Sequence, residues 1–518
     1  MEFKDRVTQK LVKSTSTVAF FTLLSRIMGF ARDIILASIF GAGGLFDAFV
    51  VAFRLPNFLR RLFGEGAFAQ AFVPILAEHR AQKSHDDAQQ FVDHIAGTLT
   101  FVVSVVVMIA EIFSPLLIMI FAPGFMHDPA RFYVAEHMIR IMFPYLLLIV
   151  LTAFAGAILN TYGLFAAPAF APVLLNIALI GVALLWAPHT TMPIYVLAWG
   201  VMIGGFAQLF IQIPFLKRVN LMPRFKIGFH DPGVVRVMKR MLPALFGVSI
   251  AQISLLVDNV FASFLQRGSI SWLYYSDRLI YFPLGIIGVA LATVVMPHLS
   301  RNHAEKDEKV FSETLDWALR CTLFIGVPSA VGLFVLAGPI LSTLIHYGRF
   351  NSFDVVMTAK SLSAFAVGLP AFMLIKILAS AFYARQNIRS PVKIAAIALT
   401  VNLIFNAILI FPLKHAGLAL STSIASIVNA SLLWILLIRS TIFSPGKKWR
   451  KTIMQLVIAN GVMAFIIYSL AGSLTPWLTW PVLTRILHLI LILGAGMVSY
   501  FLLLGVMGVR IRHFRSPC

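Results

Sequence analysis

The feature that most constrains this chain is the recurrence, from end to end, of long apolar runs closed off by glycine, proline or basic clusters. A run of about twenty apolar residues crosses the hydrocarbon core of a bilayer as one helix, and about fourteen such runs can be counted on that criterion. In hydrocarbon every backbone donor and acceptor must be satisfied within its own segment. These runs are too long and too continuous for the alternating strands of a barrel. The expectation is therefore an all-α integral membrane protein. Composition agrees, because hydrophobic residues make up 59% and charged residues only 12% of the 518, outside the range of a soluble domain.

The formal net charge of +21 would suggest nucleic acid in a soluble protein, but here the basic residues lie in short loops between apolar runs. Lys4, Arg6, Lys10 and Lys13 precede the first run, and Lys217, Arg218, Arg224 and Lys226 follow the sixth. Arg301, Lys306 and Lys309 follow the eighth; Arg385, Arg389 and Lys393 the tenth; Lys447, Lys448, Arg450 and Lys451 the twelfth; Arg510, Arg512 and Arg515 the last. The opposite loops carry little beyond Arg131, Arg267, Arg349 and Lys414. The positive-inside rule then puts both termini in the cytoplasm with an even number of spans, and removes the case for nucleic acid. The polar first thirteen residues and the lack of a cleavage site argue that the first span is retained. Two cysteines, Cys321 and Cys518, near cytoplasmic ends, do not make a disulfide framework.

The chain resembles itself at a separation of about 224 residues. Pro115 matches Pro339, Gly124 matches Gly348, "ASIFGAGG" from Ala37 matches "ASFLQRGS" from Ala262, and Gly156 to Pro168 runs parallel to Ser380 to Pro391. Two halves of about six spans each enter the membrane in the same direction and are expected to enclose a cavity. The boundaries read from sequence are a first lobe over 1–218, a cytoplasmic linker over 219–231, a second lobe over 232–442, and two added spans with a tail over 443–518.

Ionisable residues inside apolar runs are costly unless paired or hydrated, and they usually line a cavity. "SRIMGFARD" carries Arg26, Arg32 and Asp33; the second run adds Asp47, Arg54, Arg60 and Arg61; the eighth adds Asp277 and Arg278. Arg26 lies about 20 Å along a helix from Lys13, too deep to reach the interface easily. Helix-locking salt bridges are one reading: Arg26 with Asp33, Arg32 with Asp47, Arg278 with Asp277. Taken together, however, the arginines outnumber the carboxylates. Surplus guanidinium groups present planar forks suited to phosphate, so a pyrophosphate-bearing substrate in a wet cavity is the natural guest.

Four stretches, "SRIMGFARD", "DAFVVAFRLPNFLRRLFGEGAFAQAFVPILAEH", "SWLYYSDRLIYFPLGIIGVALATVVMPHLS" and "PLKHAGLALSTSIASIVNASLL", closely resemble the MurJ (MviN) lipid II flippases of the multidrug/oligosaccharidyl-lipid/polysaccharide exporter superfamily. The resemblance covers essentially the whole chain. It implies two six-helix lobes around a cationic cavity, and two C-terminal helices whose groove takes the polyprenyl tail of lipid II. It implies residence in the bacterial inner membrane, a monomer, alternating access, and roles in flipping for Arg26, Arg32, Asp47, Arg60 and Arg278. Where the better-known relatives have a glutamate after "DRL", this chain has Tyr281, so that carboxylate's role does not transfer.

Asn402 and Asn406, one helical turn apart, with Thr422, the carbonyl of Leu418 and the lone carboxylate Asp258, offer hard oxygen ligands suited to Na⁺. The resemblance implies a matching sodium site; interhelical hydrogen bonding is the alternative. His303, His346 and His415 fall near loops and are expected on the solvated surface. The sequence has no phosphate loop and no clustered acid, base or metal signature, which argues against an ATP-driven pump and against a polyprenyl-phosphate enzyme. A cation-coupled multidrug antiporter would want an acidic cavity. An exporter of another lipid-linked oligosaccharide, of the O-antigen type, is not separated by charge.

Overall fold

The computed structural model describes residues 2–60, 67–82, 84–446 and 449–510. Arg61, Lys447, Lys448, Arg512, Arg515 and Cys518 lie outside the described residues. All the regular elements among the described residues are helical. Nine helical segments there are long and apolar enough to cross a membrane. The chain forms two compact units, residues 1–267 and 268–518.

In the first unit the helices are α1 (Glu2–Phe40), α2 (Gly44–Arg60), α3 (Ala67–Gln82), α4 (His85–Ile112), α5 (Ser114–Phe121), α6 (Pro129–Met142), α7 (Tyr145–Thr161), α8 (Ala166–Gly181), α9 (Ile194–Phe210), α10 (Ile213–Arg218) and α11 (Pro232–Ser263). The second unit holds α12 (Ser269–Pro283), α13 (Val289–Ala304), α14 (Glu308–Val335), α15 (Ala337–Leu344), α16 (Ser352–Ala384), α17 (Arg389–Arg439), α18 (Trp449–Ala471), α19 (Leu474–Thr479) and α20 (Val482–Val506).

Several element lengths recur between the two units. The helices α4 and α14 are each 28 residues, and each is followed by an 8-residue helix, α5 and α15. The segment Pro129–Thr161 and α16 then have 33 residues each. Local signals repeat as well. Asp128 accepts the Arg131 amide at the start of α6, and Asn351 forms a reciprocal capping box with Asp354 at the start of α16. Glycines in the left-handed region, Gly41 and Gly268, precede α2 and α12.

The helix α11, at the start of the second half in the repeat reading, packs on α3, α4 and α5 within the first unit. Gly124 permits part of this contact, since a Cβ there would lie 2.3 Å from the Ser263 backbone. In the second unit α17 is two arms meeting at Lys414, whose φ of 50° and ψ of −129° break the helix. The arms close tightly because position 417 is glycine; a Cβ would sit 2.2 Å from the Leu409 carbonyl oxygen. The α18–α20 segment is fastened to α14 and α15 by Trp449 donating to Asp316, Tyr500 donating to the Phe324 carbonyl, and buried Arg485 donating to the Ser342 carbonyl.

The histidine expectation needs correcting. His415 is buried beside the Trp272 ring, at 4.9 Å between centroids, with Nε2 2.9 Å from the Met357 carbonyl. Its place next to the turn at Lys414 suggested solvent, but the sharp reversal of α17 folds it inward. His346 is half-buried, with Nδ1 3.3 Å from Arg485 Nη1.

Candidate functional site

The buried face of α1 is set by Arg32, Asp33, Leu36 and Ala37, and α1 packs on α8. This spacing is one turn of helix, so the charged pair shares a stripe with small and apolar neighbours. Arg32 donates from Nε and Nη2 to Asp33 Oδ1 at 3.0 and 2.6 Å. Its Nη1 donates to Asn176 Oδ1 of α8 at 3.0 Å, and Asn176 Nδ2 donates to the Ser25 carbonyl at 3.2 Å. The guanidinium is thus desolvated, neutralised and held in one orientation.

Arg26 is different. It is exposed on the surface of its unit, and makes no side-chain hydrogen bond or ion pair among the described residues. The pairing of Arg26 with Asp33 considered from sequence does not form, because Arg32, the adjacent residue, occupies that carboxylate. Two arginines six positions apart on one helix therefore have opposite circumstances.

On α2, Asp47 is fully buried and lies 3.9 Å from Arg131 Nη1. Arg131 Nε in turn donates to Asp128 Oδ2 at 2.7 Å, and Arg267 Nε and Nη2 grip the same carboxylate at 2.7 and 3.0 Å. The Arg267 hydrogen bonds act first, working against burial and joined by the Arg131 amide and guanidinium, to hold the Asp128 carboxyl below the usual carboxylate range. Arg54 donates to Asn259 Oδ1 of α11 at 2.8 Å, and Arg60 to Asn57 Oδ1 at 2.8 Å. These amide oxygens orient the two guanidinium groups.

In the second unit Asp277 and Arg278 are half-buried on α12. The Arg278 guanidinium stands 4.9 Å over the Tyr274 ring and donates to its hydroxyl at 3.4 Å. Tyr281 lies one turn on and is exposed. Asn406 Nδ2 donates to Asn402 Oδ1 at 3.3 Å, Asn402 Nδ2 to Thr422 Oγ1 at 3.3 Å, and Thr422 Oγ1 to the Leu418 carbonyl at 3.1 Å. Three of the four residues named for a cation, together with that carbonyl, thus form one cluster across the two arms of α17. Every member offers a hard oxygen, the donor set that Na⁺ prefers, and the same atoms also serve one another. Asp258 is half-buried on α11 in the first unit.

Sequence reasoning missed Asn176, Asn259 and Asp128 as partners. The signal available was an asparagine inside an apolar run, which has two donors and an acceptor to satisfy.

The sequence profile of the lipid II flippase MurJ matches residues 36–488. The chain belongs to the MurJ lipid II flippase family. The match takes in Asp47, Arg54, Arg60, Asp277 and Arg278, and begins after Arg26, Arg32 and Asp33. A Burkholderia cenocepacia lipid II flippase MurJ is 42% identical, over 98% of this chain and 99% of that protein. A probable lipid II flippase MurJ of Vibrio cholerae is 41% identical over 99% of both. Among solved structures, a lipid II flippase MurJ in an inward closed conformation superposes with a TM-score of 0.79 at 28% identity, covering 94% of this chain and 98% of that one. An inward-facing multidrug resistance MATE family transporter of the MOP superfamily matches at 13% identity with a TM-score of 0.65, over 82% of this chain and 98% of that one, a likeness of fold alone.

Proposed function

We propose that this chain is a lipid II flippase, a transporter and not an enzyme, that moves the undecaprenyl-pyrophosphate-linked peptidoglycan precursor from the cytoplasmic to the outer leaflet of the bacterial inner membrane. Family membership across nearly the whole length supports the substrate. The observation that carries the mechanism is the contrast on α1: Arg32 is neutralised in the interior, while Arg26, deep in an apolar run, is exposed and lacks an acidic partner among the described residues. A bare guanidinium at that depth is tolerable only beside water or an anion.

In this reading fourteen spans arise from the nine apolar segments, the second arm of α17, and four charged segments: α1, α2 with α3, α11, and α12 with α13. Both termini face the cytoplasm and the protein acts as a monomer. Two six-helix lobes rock about a central cavity, and α18–α20 guide the polyprenyl tail. Arg26, Arg54, Arg60 and Arg278 bind the diphosphate and sugar headgroup, while Asp33, Asp47 and Asp277 set how much charge remains. Binding is strongest where the positive charge is least screened, so release requires that attraction to weaken when the lobes rock. Asp258, Asn402, Asn406 and Thr422 would hold Na⁺ as a coupling ion, supplying a gradient that the chain cannot draw from ATP.

Depletion of the protein in cells should leave lipid II accumulating on the cytoplasmic side. Variants Arg26→Ala and Arg278→Ala should fail to restore its exposure outside. Normal exposure in both would defeat the reading.

A further inference from the structure

Residues 219–231, between α10 and α11, form no helix of their own, yet they are held along α4 step by step. His85 Nε2 lies 3.1 Å from the Asn220 carbonyl, and Gln89 donates to the Met222 carbonyl at 2.9 Å. The Arg224 amide donates to Asp93 Oδ1 at 2.8 Å, the Lys226 amide to the Asp93 carbonyl at 3.3 Å, and the Gly228 amide to Thr98 Oγ1 at 3.0 Å. The Phe229 ring meets Phe101 edge-on at 5.9 Å. As the linker advances from 220 to 229, its partner on α4 advances from 85 to 101. That stretch of helix rises about 24 Å, and the linker fully extended would reach about 30 Å, so the segment runs nearly straight beside α4. Two glycines allow the close approach: a Cβ on Gly97 would lie 2.2 Å from the Lys226 backbone, and one on Gly228 2.6 Å from His94.

The linker's polar anchors from 220 to 228 are main-chain atoms; Leu221 is buried, while the side chains from 224 to 227 stay exposed. Extended chain sends Phe225, Ile227 and Phe229 to one edge and Arg224 and Lys226 to the other. Phe225 is 63% and Ile227 59% exposed. Arg224 and Lys226 are exposed and make no ion pair among the described residues. Exposed Lys217 and Arg218 precede the linker in the chain, and exposed Arg236, Lys239 and Arg240 follow it. Nearby acids are largely engaged: Asp93 is buried with Gln89 and the Arg224 amide, Asp231 is bound by His94 and two amides, and Glu78 by Arg236. Asp87 is engaged with Ser84 in the cap of α4, and Asp86 stands beside it in that first turn. The linker thus passes from that polar end to Phe101, inside an apolar helix long enough to cross a membrane.

We infer that residues 220–230 are a lipid-binding edge, with Phe225 and Ile227 set among acyl chains and Arg224 and Lys226 holding the phosphates of anionic phospholipids in that leaflet. An alternating aromatic and basic edge suits an interface with apolar chains on one side and negative phosphates on the other. Nothing in this inference depends on the transported substrate.

The test uses the full chain carrying Cys321→Ser and Cys518→Ser in vesicles of phosphatidylcholine with and without phosphatidylglycerol. A fluorophore on Ile227→Cys should be quenched by lipids bearing a nitroxide near the headgroup. Native mass spectrometry should show retained phosphatidylglycerol falling about fivefold for each of Arg224→Gln and Lys226→Gln, and little changed in Arg224→Lys with Lys226→Arg. The glutamine variants keep every main-chain anchor, so their folding is preserved. A label that reports bulk water in both vesicles, or equal phosphatidylglycerol retention in the glutamine variants and the wild type, would overturn the inference.

Discussion

Replacing Asp33 and Arg26 separately by alanine should split structural from functional charge on a single helix. The side chains of Arg32 and Asp33 keep only 8% and 5% of their exposure, and two guanidinium nitrogens share one carboxylate oxygen. Removing the acid from such a pair costs about 3–5 kcal/mol, because it strands a buried charge. Arg32 retains the Asn176 amide, so the lower end, about 3 kcal/mol, applies to Asp33→Ala. At roughly 2 °C per kcal/mol for a unit of this size, the thermal midpoint in detergent should drop by about 6 °C. Arg26→Ala removes an exposed side chain without a partner among the described residues, so its stability should stay within about 0.5 kcal/mol of wild type. Its lipid II exposure on the outer surface should nevertheless be lost. The double variant Arg32→Ala with Asp33→Ala should regain part of the stability missing in Asp33→Ala, since no charge is then stranded. The reasoning fails if Arg26→Ala melts as early as Asp33→Ala, or if Arg26→Ala flips lipid II normally.

Asn176→Ala should cost about 1.5–3 kcal/mol by removing a hydrogen bond to a charged group, read as a lower thermal midpoint without loss of fold. Gly417→Ala should force the arms of α17 apart against the Leu409 carbonyl, costing about 1–3 kcal/mol or more, seen as low yield of monodisperse protein. The depressed Asp128 carboxyl stabilises the fold fully above its ordinary value of 3.8, and that contribution is lost as pH falls through the lower folded value. Wild type should therefore lose thermal stability below about pH 4 more steeply than Asp128→Asn. If Na⁺ couples to transport, Asp258→Ala should abolish the sodium dependence of flipping in vesicles; wild-type activity independent of sodium would remove the cation from the mechanism.

Much of this was legible in one dimension. Apolar runs announce the bilayer because each residue's partition into lipid is its own property, and the repeat announces itself because matched lengths and caps are local. The depth of Arg26 in α1 follows from counting rise per residue. The hydrogen-bonded cluster on α17 was partly legible, since Asn402 and Asn406 share a face by spacing alone, while Thr422 joins them only because α17 reverses at Lys414.

Sequence alone determined the solvent, the helices, their repetition, and which ionisable residues sit where lipid would reject them. Tertiary structure alone decided which of those charges are spent. Arg32 is neutral in effect because a side chain 144 residues away turns it onto its neighbour, and Arg26 is not because nothing comparable reaches it among the described residues. Electrostatic pairing and desolvation depend on separations in space, and chain spacing reports those only within one helix. The same reason hid the burial of His415 and the seating of the 219–231 linker on α4.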